Sequence, residues 1–138
     1  MSEKIKVLLV DDAVDFINMM QYWLKKRNFE VDVLYDGGGV VEAVKTKGYN
    51  IMFLDLNLPV LTGIEILQEI RKFDKKFPII IFSAYGTKEN LKQATGLGIS
   101  GFFAKEKGFE DAARLIYTAL RIHRGLTGSE ADGGKDGS

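Results

Sequence analysis

The stretch VLLVDDA, residues 7–13, sets four apolar residues directly against two adjacent acids, Asp11 and Asp12. An apolar run without polar alternation is the pattern of a strand buried on both faces. Two neighbouring carboxylates at its end repel each other and call for a compensating partner. One candidate is the amino end of a following helix, where Asp is a common cap. Another is a cation.

Working outward, short apolar runs recur at Ile5–Val10, Val31–Tyr35, Ile51–Leu54, Ile79–Phe82 and Gly101–Phe103. Between and after them lie segments with helical spacing: Val14–Asn28, Val40–Lys47, Gly63–Phe73, Thr87–Leu97 and Phe109–Arg124. Strand and helix therefore alternate five times. This order predicts an α/β fold with a parallel sheet and helices on both faces. Right-handed crossovers leave few topologies. The expectation is a doubly wound (βα)5 sandwich of strand order 2-1-3-4-5, the flavodoxin-like arrangement, with ligands at the carboxyl ends of the strands. Three consecutive glycines, Gly37–Gly39, predict a short or late-starting second helix, with Asp36 as its N-cap.

Composition bounds the function. The 138 residues suit one domain and carry 19 basic and 19 acidic side chains, so net charge gives no reason to expect nucleic-acid or anionic-lipid binding. Cysteine is absent, which excludes disulfides, thiolate metal sites and thiol nucleophiles. The amino terminus has only a short apolar run flanked by charges, neither a signal peptide nor a membrane span. A cytoplasmic protein is expected. Residues 1–125 are expected to form the domain, and 126–138, with no large apolar residue after Leu126, a disordered tail or linker remnant.

At the predicted strand ends stand Asp11–Asp12, Tyr35–Asp36, Asp55, Ser83–Ala84 and Lys105. Each alone has a plain reading as a cap, a turn residue or a solvated charge. Together Asp11, Asp12, Asp55, Ser83 and Lys105 place three carboxylates, a hydroxyl and an ammonium on one rim. Converging carboxylates with no His or Cys nearby favour a hard cation, Mg2+ or Mn2+. A lysine and a hydroxyl beside such a site suit phosphoryl transfer. The only histidine, His123, lies in the last helix and reads as a surface residue. A carboxylate is then the candidate nucleophile.

These residues resemble the receiver domain of two-component response regulators, over roughly the whole chain to Arg124. The acidic pair is Asp11–Asp12. The segment DLNLPVLTG resembles the phosphoacceptor loop, with Asp55 followed by Pro59 and Gly63. FSAYG resembles the Ser/Thr–Ala step, and GISGFFAK the fifth strand with its lysine. The resemblance implies that Asp55 accepts a phosphoryl group from the histidine of a sensor kinase or phosphotransfer protein. It implies that Asp12 binds Mg2+ directly, Asp11 acts mainly through a metal-bound water, and Asp55 and the Asn57 backbone carbonyl complete the protein ligands. Lys105 would pair with Asp55 at rest and with a phosphoryl oxygen afterwards. Ser83 and the Ala84 amide would hold the phosphoryl group. Phe102 stands at the switch aromatic position; its plainer reading is a core aromatic. The resemblance also implies an output partner and a homodimer through the fourth helix, fifth strand and fifth helix, with no direct contact to nucleic acid or membrane.

Two departures stand out. The family usually places Pro after the lysine, often in a cis peptide, whereas this chain has Glu106; a cis bond there would cost about 3–4 kcal/mol. Tyr85 and Asn57 occupy positions that flank the hydrolytic water in the family, and bulky Tyr85 is expected to slow phosphate loss. The competing reading is a receiver-like interaction module that no longer responds to phosphate. A flavodoxin-type flavin binder is disfavoured because DDAVDF would repel the flavin phosphate. A haloacid-dehalogenase-type phosphatase is disfavoured because Asn57 stands two residues after Asp55 where an acid is needed. No conventional enzyme is expected, only assistance to the chain's own phosphorylation and dephosphorylation.

Overall fold

A computed structural model describes residues 4–83, 88–105 and 109–127, except for the side chains of 83, 88 and 122–127. Five strands, β1 (Lys6–Val10), β2 (Glu30–Leu34), β3 (Ile51–Asp55), β4 (Ile79–Ser83) and β5 (Gly101–Ala104), alternate with helices α1 (Val14–Lys26), α2 (Val40–Thr46), α3 (Gly63–Phe73), α4 (Lys88–Gly96) and α5 (Glu110–Thr127). All strand pairs are parallel, in the order β2-β1-β3-β4-β5. The expected doubly wound sandwich is the observed one.

Side-chain parity explains the two layers. Successive strand residues point to opposite faces. Val7 and Leu9 of β1, Phe53 of β3 and Phe82 of β4 therefore face one core with Ile17, Met20 and Leu24 of α1 and Ile116 of α5. Their neighbours Leu8, Val10, Met52, Leu54, Ile79 and Ile81 face the other, with Ile66, Leu67 and Ile70 of α3. Both faces of the inner strands are thus buried, which is why the runs are continuously apolar.

Several boundaries depart from the sequence expectation for local reasons. Helix α1 stops at Lys26, two residues early, because Asn28 takes φ 72° and closes the end. Its N–H bonds Lys25 O at 3.0 Å and that of Phe29 bonds Leu24 O at 3.1 Å, the Schellman pattern. Helix α2 is short, as expected, but Asp36 does not cap it. The N-cap is Gly39, at φ 85°. Asp36 Oδ1 instead accepts from the Gly38 N–H at 2.8 Å, an Asx turn. Two of the three glycines have positive reasons: Gly39 for its left-handed backbone, and Gly37 because a Cβ there would lie 2.4 Å from Leu61 O. The glycine run lets the loop before α2 lie against the loop after β3.

Candidate functional site

The carboxyl ends of β1, β3 and β5 bring Asp11, Asp12, Asp55 and Lys105 to one rim, as parallel register requires. One oxygen from each of the three acids lies within 4.8 Å of the others. They differ in environment. Asp11 is fully buried, Asp55 is 8% exposed and Asp12 is exposed. Neither member of the acidic pair caps α1, whose N-cap is Ala13 without a side-chain bond. Asp11 Oδ1 accepts from the Ala13 N–H at 2.9 Å. Its Oδ2 forms an ion pair with Lys105 Nζ at 2.6 Å.

Asp55 Oδ1 accepts from the Asn57 N–H at 3.1 Å, and Oδ2 stands 3.8 Å from Lys105 Nζ. The resemblance implies a resting pair between Lys105 and Asp55; the lysine contacts both acids but sits nearer Asp11. The physical reason is that Asp11 is the more deeply buried charge, with no amide for its second oxygen. Burial pushes the Asp55 pKa up to about 6; the Asn57 N–H opposes the shift, Asp11 adds to it, Lys105 opposes it and Asp12 adds a little more. The rim holds more negative charge than its own lysine neutralises.

The donor set fits a hard divalent cation. It consists of three carboxylates with no His or Cys among them, and the one lysine among the described residues that reaches Asp11 and Asp55 leaves the cluster with excess negative charge. Asn57 is exposed, and its N–H is spent on Asp55.

The loop after β3 is built to hold Asp55 still. Gly63 opens α3 directly beneath it: its N–H bonds Leu56 O at 3.0 Å, and a Cβ there would lie 2.5 Å from Asp55 O. Thr62 closes a capping box with Glu65, accepting from Glu65 N–H at 3.2 Å while its own N–H reaches Glu65 Oε1 at 2.9 Å. Just before them Val60 takes φ 75°, and Pro59 O accepts from both Leu61 N–H (2.9 Å) and Gly37 N–H (3.0 Å). A γ-turn at a β-branched residue is strained, and here the neighbouring loop holds it.

Two residues at the site escaped the sequence reading. Phe16 of α1 and Phe82 of β4 turn their rings toward the lysine, with centroids 5.1 and 5.9 Å from Nζ. Both looked like ordinary apolar positions; only the fold shows them converging. Phe102 is 43% exposed, so it is not a core aromatic. It borders a cavity of about 450 Å³ between β5 and α5, with Leu115, Thr118 and the ion pair Asp111–Arg114. The Ser83 side chain, Ala84, Tyr85, Glu106, the His123 side chain and the tail from 128 onward lie outside the described residues.

A doubly wound parallel sheet whose carboxyl rim joins three acids to a lysine defines a receiver-type α/β domain. A family model for the response regulator receiver domain matches residues 7–117, and the chain belongs to that family. Regulatory protein VanRc of Enterococcus gallinarum is 34% identical over 133 residues, covering 95% of this chain and 55% of the relative. Among solved structures, a CheY-like receiver domain protein from Methanospirillum hungatei is 21% identical with TM-score 0.82, covering 88% of this chain and 97% of that one. The receiver domain of a sensor histidine kinase from Pseudomonas aeruginosa is 22% identical with TM-score 0.78, covering 86% of this chain and 98% of that one. It carries a magnesium ion in its active-site cleft. The chain spans about half the length, or less, of the curated relatives it matches. Among the described residues no helix is long and apolar enough to cross a membrane.

Proposed function

We propose that this chain is a phosphorylatable receiver: Asp55 accepts a phosphoryl group from the histidine of a sensor kinase or phosphotransfer protein. The observation that carries the reading is the convergence of three carboxylates, Asp11, Asp12 and Asp55, on one rim where Lys105 is the ammonium that meets Asp11 and Asp55. An Asp55 oxygen attacks phosphorus, the phosphorus–nitrogen bond to the partner's imidazole breaks, and the imidazole leaves. Mg2+, or Mn2+, would be held by Asp11, Asp12, Asp55 and the Asn57 carbonyl, and when bound supplies charge neutralisation for the transfer. The magnesium in the Pseudomonas aeruginosa neighbour supports that assignment. Asp12, exposed at the rim, would hold the ion directly, and Asp11 would act chiefly through a water.

Lys105 is already within 3.8 Å of the acceptor oxygen and shifts toward the phosphoryl group once it is attached. Ser83 and the Ala84 amide bind the remaining phosphoryl oxygens. Ser83 moving inward draws Phe102 from its exposed position and biases the α4-β5-α5 face between two states. That face, with its cavity beside Phe102, engages the output partner or a second copy of the chain. The protein works in the cytoplasm and contacts neither nucleic acid nor membrane through this domain. It is no conventional enzyme, although its rim assists the gain and loss of its own phosphate.

The test is incubation with a small acyl phosphate and Mg2+, followed by intact mass beside an Asp55→Asn control. A phosphoryl adduct that needs both Mg2+ and Asp55 is expected. Its absence would establish the alternative, a receiver-like interaction module not regulated by phosphorylation. Tyr85 and Asn57 tune hydrolysis: Tyr85→Ala should shorten the adduct's lifetime, and an unchanged lifetime would remove Tyr85 from that role.

A further inference from the structure

We propose that Phe16 and Phe82 are positioning residues for Lys105, their rings forming an aromatic seat that holds its ammonium against Asp11 and within reach of the acceptor carboxylate. The inference rests on the phosphoacceptor reading above. Lys105 follows a four-residue edge strand and is itself followed by Glu106, so no proline stiffens the backbone beside it. A long, flexible side chain must nonetheless present its charge at one place. Its Nζ lies 5.1 Å from the centroid of Phe16 and 5.9 Å from that of Phe82, within the reach of a cation–π attraction. The side chain is only 18% exposed, so water screens that attraction little.

The seat is rigid because the rings lock one another. Phe16 meets Phe82 edge to face at 5.2 Å and 84°, and Phe82 stacks on Phe53 at 5.2 Å and 30°. Phe109 backs Phe16 at 5.9 Å. Ring faces also suit this place chemically. They attract an ammonium but neither take up a proton nor ligate a divalent cation. They hold Lys105 without competing for the metal. Asp11 and the two rings together leave the ammonium one short step from Asp55.

The test replaces Phe16 with mono-, di- and trifluorophenylalanine, which keep the ring's shape while draining its face of negative charge. With acetyl phosphate and Mg2+, the phosphorylation rate should fall stepwise, about three- to tenfold at the trifluoro ring, and the slope should vanish in a Lys105→Met background. Phe16→Tyr should retain the wild-type rate. In metal-free wild type, the Lys105 ε-methylene protons should be shifted upfield by the rings, and return to their ordinary position in Phe16→Leu. A phosphorylated wild type whose rate is indifferent to ring fluorination overturns the seat. If the wild type takes no phosphoryl group, the phosphoacceptor reading fails. The methylene shift then decides the seat alone, an ordinary position in wild type overturning it.

Discussion

The two rims of the sheet handle buried charge in opposite ways. At the amino-terminal rim, Arg71 in the last turn of α3 is 8% exposed, yet each of its three guanidinium nitrogens donates to a backbone carbonyl. Nε donates to Leu97 O at 2.8 Å, Nη1 to Asp74 O at 2.9 Å, and Nη2 to Phe77 O and Gly98 O, both at 2.9 Å. One side chain thus ties the end of α3, the approach to β4 and the end of α4 together. At the carboxyl rim, Asp11 is more deeply buried, and the Lys105 ammonium that pairs with it is shared with Asp55 while Asp12 stands beside them. A buried charge satisfied by the fold makes the molecule stable; three carboxylates sharing one lysine mark where a cation from outside the chain is meant to bind.

The contrast can be broken most forcefully at Arg71. Arg71→Met keeps an apolar stem but leaves four carbonyls without a donor. Losing charge-assisted bonds to buried acceptors should cost about 3 kcal/mol or more in urea unfolding. Mg2+ affinity of the folded protein should stay within about twofold, because the substitution lies at the other end of the sheet. A matching loss of metal affinity would show that the rims are not independent.

Gly63→Ala comes next. Its Cβ would meet Asp55 O at 2.5 Å and Leu56 Cα at 2.6 Å, backbone atoms that cannot swing away. Overpacking of this kind costs about 1–3 kcal/mol. Unlike Arg71→Met, it should also weaken Mg2+ binding, since the displaced backbone is that of Asp55. Calorimetric titration beside an unfolding curve separates the two effects.

Removing charge from the carboxyl rim should do the reverse. The Asp55 carboxyl titrates near 6 in the fold against 3.8 in an ordinary chain. The folded form therefore binds the proton more tightly than the unfolded one. This group favours folding below about pH 4, and the contribution is lost as pH rises through 6. Above that, metal-free wild type carries the cost of an ionised Asp55 among other acids. Asp55→Asn should then be more stable by about 1–2 kcal/mol at pH 7.5, after allowance for solvent at the rim, with the gap closing toward pH 4. Saturating Mg2+ should stabilise the wild type more than the variant. Below pH 6 the proton competes with the metal, so Mg2+ affinity should fall, by at most about tenfold per pH unit. Equal melting temperatures for the two proteins at pH 7.5 without metal would mean that the rim is not short of positive charge.

Much of this contrast was readable in the chain, unevenly so. Parity in VLLV, IMFL and IIIF encodes a sheet buried on both faces, and Asp11, Asp12, Asp55 and Lys105 at strand ends encode the acidic rim. Those signals are local, and parallel register carries them to one place. What escaped was relational. Nothing in the spacing of Phe16 or Phe82 points to a lysine more than twenty residues from either. Arg71 reads as a solvated last-turn cation until α4 folds beside it. Asp11 and Asp12 are chemically alike, and only the fold buries one and exposes the other. Asp36 had the composition of a cap, but the close approach of Gly37 to Leu61 turned its carboxylate to Gly38 instead.

The smallest effect should come from a residue serving the site without facing it. Thr62→Ala removes the capping box whose two bonds with Glu65 start α3. A lost cap of this type costs about 1 kcal/mol. The signature T-x-x-E is visible in the chain, and its bonds are solvent-exposed, so the loss should lie at the low end. Gly63 still holds Asp55 through backbone contacts that the substitution leaves in place. Stability should therefore drop while Mg2+ affinity stays nearly constant. A fall in affinity as large as that of Gly63→Ala would make the cap, rather than the close backbone approach, the feature that fixes the acceptor carboxylate.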